Sequence, residues 1–153
     1  MQNFHKTNMT LWGAILVGVI ILSMVVYYLH SSESVTALPE SQDVAQVMFF
    51  AAVILAIGIL FLKRSVLAPA KIVKSAKNLS EESAEQFVIS KIRRNYVIIW
   101  AMAELICLLG FFNYIMLADI QNYLIFAVVS IYSLLINMPR EALIIQSLEM
   151  LKE

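Results

Sequence analysis

The chain has 153 residues, of which 61% are apolar and 14% charged, with a mean hydropathy of +0.81. A soluble domain carries roughly 45–50% apolar and about 25% charged residues, and at this size it still leaves about 30% of its unfolded surface wet, so the composition excludes an ordinary soluble fold and, equally, a disordered chain. Eleven basic residues balance eleven acidic ones, which removes any global pull toward nucleic acid, and a single cysteine, Cys107, rules out an intramolecular disulfide.

A helix needs about 20 apolar residues to cross a hydrocarbon core of about 30 Å. Four apolar runs, 11–29, 44–62, 96–118 and 123–138, approach or meet that length and predict spanning helices over about 10–29, 44–63, 95–118 and 121–138. The first carries no charge, and Ser23 is its one polar side chain besides tyrosine. A signal peptide with Val35-Thr36-Ala37 as cleavage site is the alternative for this run. Its apolar stretch is long for that role, and the site lies beyond Glu33. The second run is uncharged, with Gln46 near its edge; the third holds one carboxyl, Glu104. The fourth needs Gln121 and Asn122 to reach span length and follows Asp119 so closely that spans three and four must form a tight antiparallel hairpin. The expected fold is all-α and polytopic: one membrane domain of four transmembrane helices in two antiparallel hairpins, with a short cytoplasmic amphipathic helical segment.

Lysine and arginine set the orientation. Lys63, Arg64, Lys71, Lys74, Lys77, Lys91, Arg93 and Arg94 lie between spans two and three, while Lys6, Arg140 and Lys152 lie at the ends. The first connection has only Glu33, Glu40 and Asp43, and the last hairpin only Asp119. By the positive-inside rule the expectation is a multi-pass protein of the cell inner (plasma) membrane with both termini and the segment 64–94 cytoplasmic. Trp12, Phe61, Tyr96, Trp100 and Tyr132 then fall near the inner interface, and Tyr27, Tyr28, Phe49, Phe50 and Tyr123 near the outer one. Small pairs four apart, Ala14 with Gly18 and Ala52 with Ala56, offer close-packing faces.

In the cytoplasmic segment, Pro69 should interrupt the helix leaving span two, and Ser80 should cap a helix with Glu81 and Glu82 in its first turn. Ala84, Phe87, Val88 and Ile92 share one stripe of that helix, which should run through Lys91, Arg93 and Arg94 into the third span. Lys71, Lys74, Lys77, Lys91, Arg93 and Arg94 read as a membrane-surface basic set, or simply as determinants of topology, with the apolar stripe packed on the bundle. The segment has no histidine, cysteine or Gly-rich phosphate loop, and it is too small for a catalytic domain. Pro139 should open a short amphipathic tail helix within 139–153.

Glu104 is the informative residue. Counting from Arg94 at about 1.5 Å per residue places it about 15 Å deep, near the bilayer centre. An ionised acid there costs about 2.5–3.5 kcal/mol, and protonating an ordinary glutamic acid at pH 7 costs about 3.7 kcal/mol. The two are comparable, so the surroundings decide its state. The four apolar runs hold no lysine, arginine or histidine. Matching depths along the fourth span brings Ser130 level with Glu104 and Ser133 one turn nearer the cytoplasm. A protonated Glu104 bonded to Ser130 is the expected buried polar contact; reversible binding of a proton or cation is the alternative. Asn113 and Asp119 read as helix-end residues, and eight methionines as adaptable apolar filler. No cofactor, metal site or catalytic constellation is expected.

Trp100-Ala-Met-Ala-Glu104, followed by Gly110 and closed by Pro139-Arg140, resembles a pattern of uncharacterised small bacterial four-helix membrane proteins, over about the last third of the chain. The resemblance implies a bacterial four-helix membrane protein and no specific activity. More distantly, a mid-helix glutamate within a hairpin is similar to the proteolipid subunits of rotary ATPases. Proteolipid helices are dense in glycine and alanine, whereas this chain has four glycines in all and a far longer middle segment, so proton translocation is not carried over to Glu104. The expected role is a small accessory, assembly or structural component, not an enzyme. Its partners are the lipid bilayer and other membrane subunits or further copies of itself. The alternative is a proton- or cation-coupled transporter or channel subunit.

Overall fold

In the computed structural model, which describes residues 2–38, 41–76 and 80–152, the chain forms six helices. These are α1 (Gln2–Ser31), α2 (Gln42–Val66), α3 (Pro69–Lys74), α4 (Glu81–Leu117), α5 (Ile120–Ile136) and α6 (Glu141–Lys152). Three segments are long and apolar enough to cross a membrane: Lys6–Ser31, Gln42–Val66 and Ser83–Leu117. This is a helical membrane protein. At 17 residues α5 rises only about 25 Å, short of a bilayer core, and it meets the requirement only together with α6, to which it is bent by 43°. The fourth span expected over 121–138 meets the length only together with α6, so the described residues hold three such helices, or four if the bent pair counts as one.

The centre of the fold is α4. Its buried positions, among them Ile92, Tyr96, Ile99, Ala103, Ile106 and Tyr114, recur every three or four residues along one stripe. The expected continuity through Arg93 and Arg94 holds, because nothing between Ser80 and Leu117 breaks a helix. Buried positions on α2 are Ala45, Ala52 and Ile59, one every second turn. So narrow a seam leaves the rest of α2 exposed as apolar surface, as a lipid-facing helix requires. Ala52 serves as a packing residue in that seam, whereas Ala14 of the first small pair is exposed.

Of the two expected hairpins, one packs as a helix pair. The second pair does fold back: α4 and α5 are joined through Ala118 and Asp119, and the Asp119 carboxylate caps α5 by accepting from the backbone N–H groups of Gln121 and Asn122. In contrast, α1 and α2 do not pack as a pair; each lies against α4 and α5. At the end of α4, Leu38 N–H donates to the Met116 carbonyl at 2.9 Å, and Ser41 Oγ lies 3.0 Å from the same oxygen and 2.7 Å from the Leu38 carbonyl.

At the opposite end, α5 terminates inside the bundle and its last carbonyls lack helical partners. Side chains of the neighbouring helices satisfy them. Trp12 Nε1 of α1 donates to Leu134 O at 3.0 Å, Lys63 Nζ of α2 to Ile136 O at 2.9 Å, and Trp100 Nε1 of α4 to Asn137 O at 2.9 Å. Three helices are thereby tied to one frayed terminus. Helix α3, the start of α4 and α6 pack together at this basic end, burying Ile72, Ala76, Ala84, Val88, Ile144 and Leu148 in the same core as the bundle. Residues 64–94 are thus no separate segment. The helix leaving the second span stops at Val66, ahead of Pro69, which opens the short α3.

Candidate functional site

Glu104 projects from α4 toward α1, half-buried. A Cβ added to Gly18 would lie 3.8 Å from its Oε1. That is ordinary van der Waals distance, so the carboxyl lies in the crevice between the two helices, directly beside Gly18. Among the described residues the carboxyl accepts and donates no hydrogen bond.

The expected Glu104–Ser130 contact is absent. Ser130, fully buried on α5, donates through Oγ to the Ala103 carbonyl at 2.6 Å. The depth match was right to one residue, but successive helical residues are rotated by about 100°. Ala103 faces α5, and Glu104 faces α1. Ser133 is buried one turn nearer the basic end, and its carbonyl accepts from Asn137 Nδ2 at 2.8 Å. It too lies apart from the carboxyl.

One turn farther from the basic end, a chain of polar groups crosses three helices. Cys107 Sγ of α4 lies 3.6 Å from Tyr123 Oη of α5, which lies 2.8 Å from Ser23 Oγ of α1. Ser23 donates to the Val19 carbonyl at 2.9 Å, which uses its one hydrogen. Tyr123 must then donate to Ser23 and accept from the Cys107 thiol. The direction is fixed, and it ends on a backbone carbonyl. The sequence places Tyr123 near the outer interface and gives Cys107 no partner. The available signal was that a buried tyrosine hydroxyl needs a partner, and Ser23 is the one hydroxyl of the first span besides its tyrosines.

The basic residues divide. Lys71 and Lys74 are exposed on α3, and Arg93 and Arg94 on α4. Lys91 instead donates to Ser75 Oγ at 2.7 Å and lies over the Phe87 ring, tying α4 to the link after α3. Lys77 lies outside the described residues. Asn113, expected at a helix end, reaches across the bundle and donates to the Ala45 carbonyl of α2 at 3.0 Å. No cluster of metal-ligating side chains exists among the described residues. The arrangement can therefore hold a proton or a polar partner at Glu104 and lock helices through hydroxyls. Against known protein families, curated proteins and solved structures, the chain has no match.

Proposed function

We propose that the protein is a small accessory or assembly subunit of the cell inner membrane, and that Glu104 is its contact with a partner helix. The observation that carries this reading is the carboxyl itself: half-buried in an apolar crevice, with no hydrogen-bond partner of its own. A polar group at that depth needs one, and a neighbouring subunit or a second copy can supply a hydroxyl, an amide or a cation. In this reading α5 and α6 together make the fourth crossing. Both termini and the basic end face the cytoplasm, because the lysines and arginines gather at that end. The lipid bilayer is the solvent throughout. No catalytic role, cofactor or nucleic-acid partner belongs to this reading.

The rival is a proton- or cation-coupled transporter or channel subunit using Glu104. What favours it is the Cys107–Tyr123–Ser23 series one turn away. That series ends at the Val19 carbonyl without reaching either end of the bundle, so it serves better as a helix lock than as a relay.

Affinity capture from mild detergent tests the assembly reading. Wild-type protein should bring down a membrane subunit or a differently tagged second copy in stoichiometric amount, and Glu104→Leu should lose it while remaining folded. A wild-type chain that is monomeric and alone under these conditions overturns the reading.

A further inference from the structure

A second site is built at the basic end, independent of Glu104. Where α5 bends into α6, a notch of about 170 Å³ opens between α2, α4 and α6, lined by Lys63, Leu67, Tyr96, Asn137, Met138 and Arg140 among others. Two cations border it, and no carboxylate lines it. Lys63 spends one ammonium hydrogen on the Ile136 carbonyl and keeps two. Tyr96 Oη accepts from the Arg140 backbone N–H at 3.4 Å, leaving its own hydrogen free to donate. The fourth polar group is of opposite kind. Asn137 is 2% exposed, its amide nitrogen is bonded to Ser133 O, and its Oδ1 has no partner. The notch thus offers positive donors and one buried, unused acceptor.

Lys63 also borders an open furrow of about 680 Å³ along α2, walled by Ile57, Leu60 and Phe61 and ending at Arg64. A polar notch joined through one lysine to an apolar furrow fits an amphiphile.

We infer that this notch binds the headgroup of an anionic, hydroxyl-bearing phospholipid such as phosphatidylglycerol, with its acyl chain in the furrow along α2. The phosphodiester takes Lys63, Arg140 and the Tyr96 hydroxyl. A headgroup hydroxyl donates to Asn137 Oδ1, which turns from its buried position at the notch wall to accept it. A zwitterionic choline head fits poorly, since it has no hydroxyl to donate and brings its cation toward Lys63 and Arg140.

The test is lipid retention, read by native mass spectrometry on the full chain taken from mild detergent after exposure to mixed vesicles of matched acyl composition. Phosphatidylglycerol should be retained over phosphatidylcholine, and over phosphatidylmethanol, which has the same charge without the headgroup hydroxyl. Arg140→Gln should lower phosphatidylglycerol retention about fivefold, the effect of one cation near a lipid surface. Lys74→Gln, the same charge change on exposed α3, should leave it unchanged. Equal losses in both variants would mean diffuse attraction and overturn the site. Equal retention of phosphatidylglycerol and phosphatidylmethanol would remove Asn137 from it and overturn the headgroup assignment. Displacement of the lipid by equimolar free glycerol 3-phosphate would show a soluble phosphate ester to be the ligand and overturn the lipid assignment.

Discussion

Trp100, fully buried on α4 and stacked on Tyr96, donates its indole N–H to the carbonyl of Asn137. That bond satisfies an acceptor that helix geometry leaves free, on a residue only 2% exposed. Trp100→Phe keeps most of the ring and orphans the carbonyl, so it should cost about 1–3 kcal/mol. Trp12→Phe should cost less, because Trp12 is only half-buried. Unfolding by denaturing detergent in mixed micelles measures both.

Gly110 and Gly58 should respond oppositely to alanine. A Cβ on Gly110 would overlap Phe126 Cβ and lie 2.8 Å from its Cγ, so α4 and α5 would have to separate. Gly110→Ala should destabilise by about 1–3 kcal/mol or more, and Phe126→Ala should not rescue it, since the obstructing Cβ remains. On Gly58 the nearest atom is the flexible Met102 methyl at 3.0 Å. Gly58→Ala should be near neutral or stabilising by up to about 1 kcal/mol through helix propensity. The same unfolding titration separates the two.

Ala118 holds a left-handed conformation, φ 53°, at the turn from α4 to α5. An L-residue with a Cβ is strained there by about 1–2 kcal/mol, while glycine costs about 0.4–1 kcal/mol through the unfolded chain. Ala118→Gly should therefore stabilise by about 0.5–1 kcal/mol. The expected reading is a rise in unfolding midpoint without a change in oligomeric mass.

The Tyr123–Ser23 bond joins α5 to α1. A double-mutant cycle of Tyr123→Phe and Ser23→Ala should give a coupling of about 0.6 kcal/mol, and at most about 1.7, the range for hydroxyl bonds between membrane helices. Zero coupling would mean that the bond contributes nothing to α1 docking.

Most of the helical architecture is legible in the residues because lipid and helix period impose simple rules. Apolar length marks α1, α2 and the span part of α4; Pro69 and Asp119 mark breaks; the position of lysine marks one end. What is not legible is which helices touch. Nothing in the sequence announces that Leu38 and Ser41 meet the Met116 carbonyl at the end of α4, or that α1 and α2 each pack on α4 and α5. The polar contacts fail for a related reason. Depth can be counted along a chain, so Ser130 was placed within one residue of its true acceptor, but azimuth cannot, and a rotation of about 100° sends Glu104 to Gly18 instead.

The mass of the assembled particle in mild detergent, measured with proton flux in vesicles for wild type, Glu104→Gln and Glu104→Leu, tests the central claim most directly. An assembly contact predicts that Gln, which keeps hydrogen-bonding capacity, preserves the wild-type mass, that Leu reduces it to a folded single chain, and that neither changes flux. Unchanged mass in both variants, with pH-driven flux present in wild type and abolished by Gln, would contradict it and make Glu104 a carrier of protons.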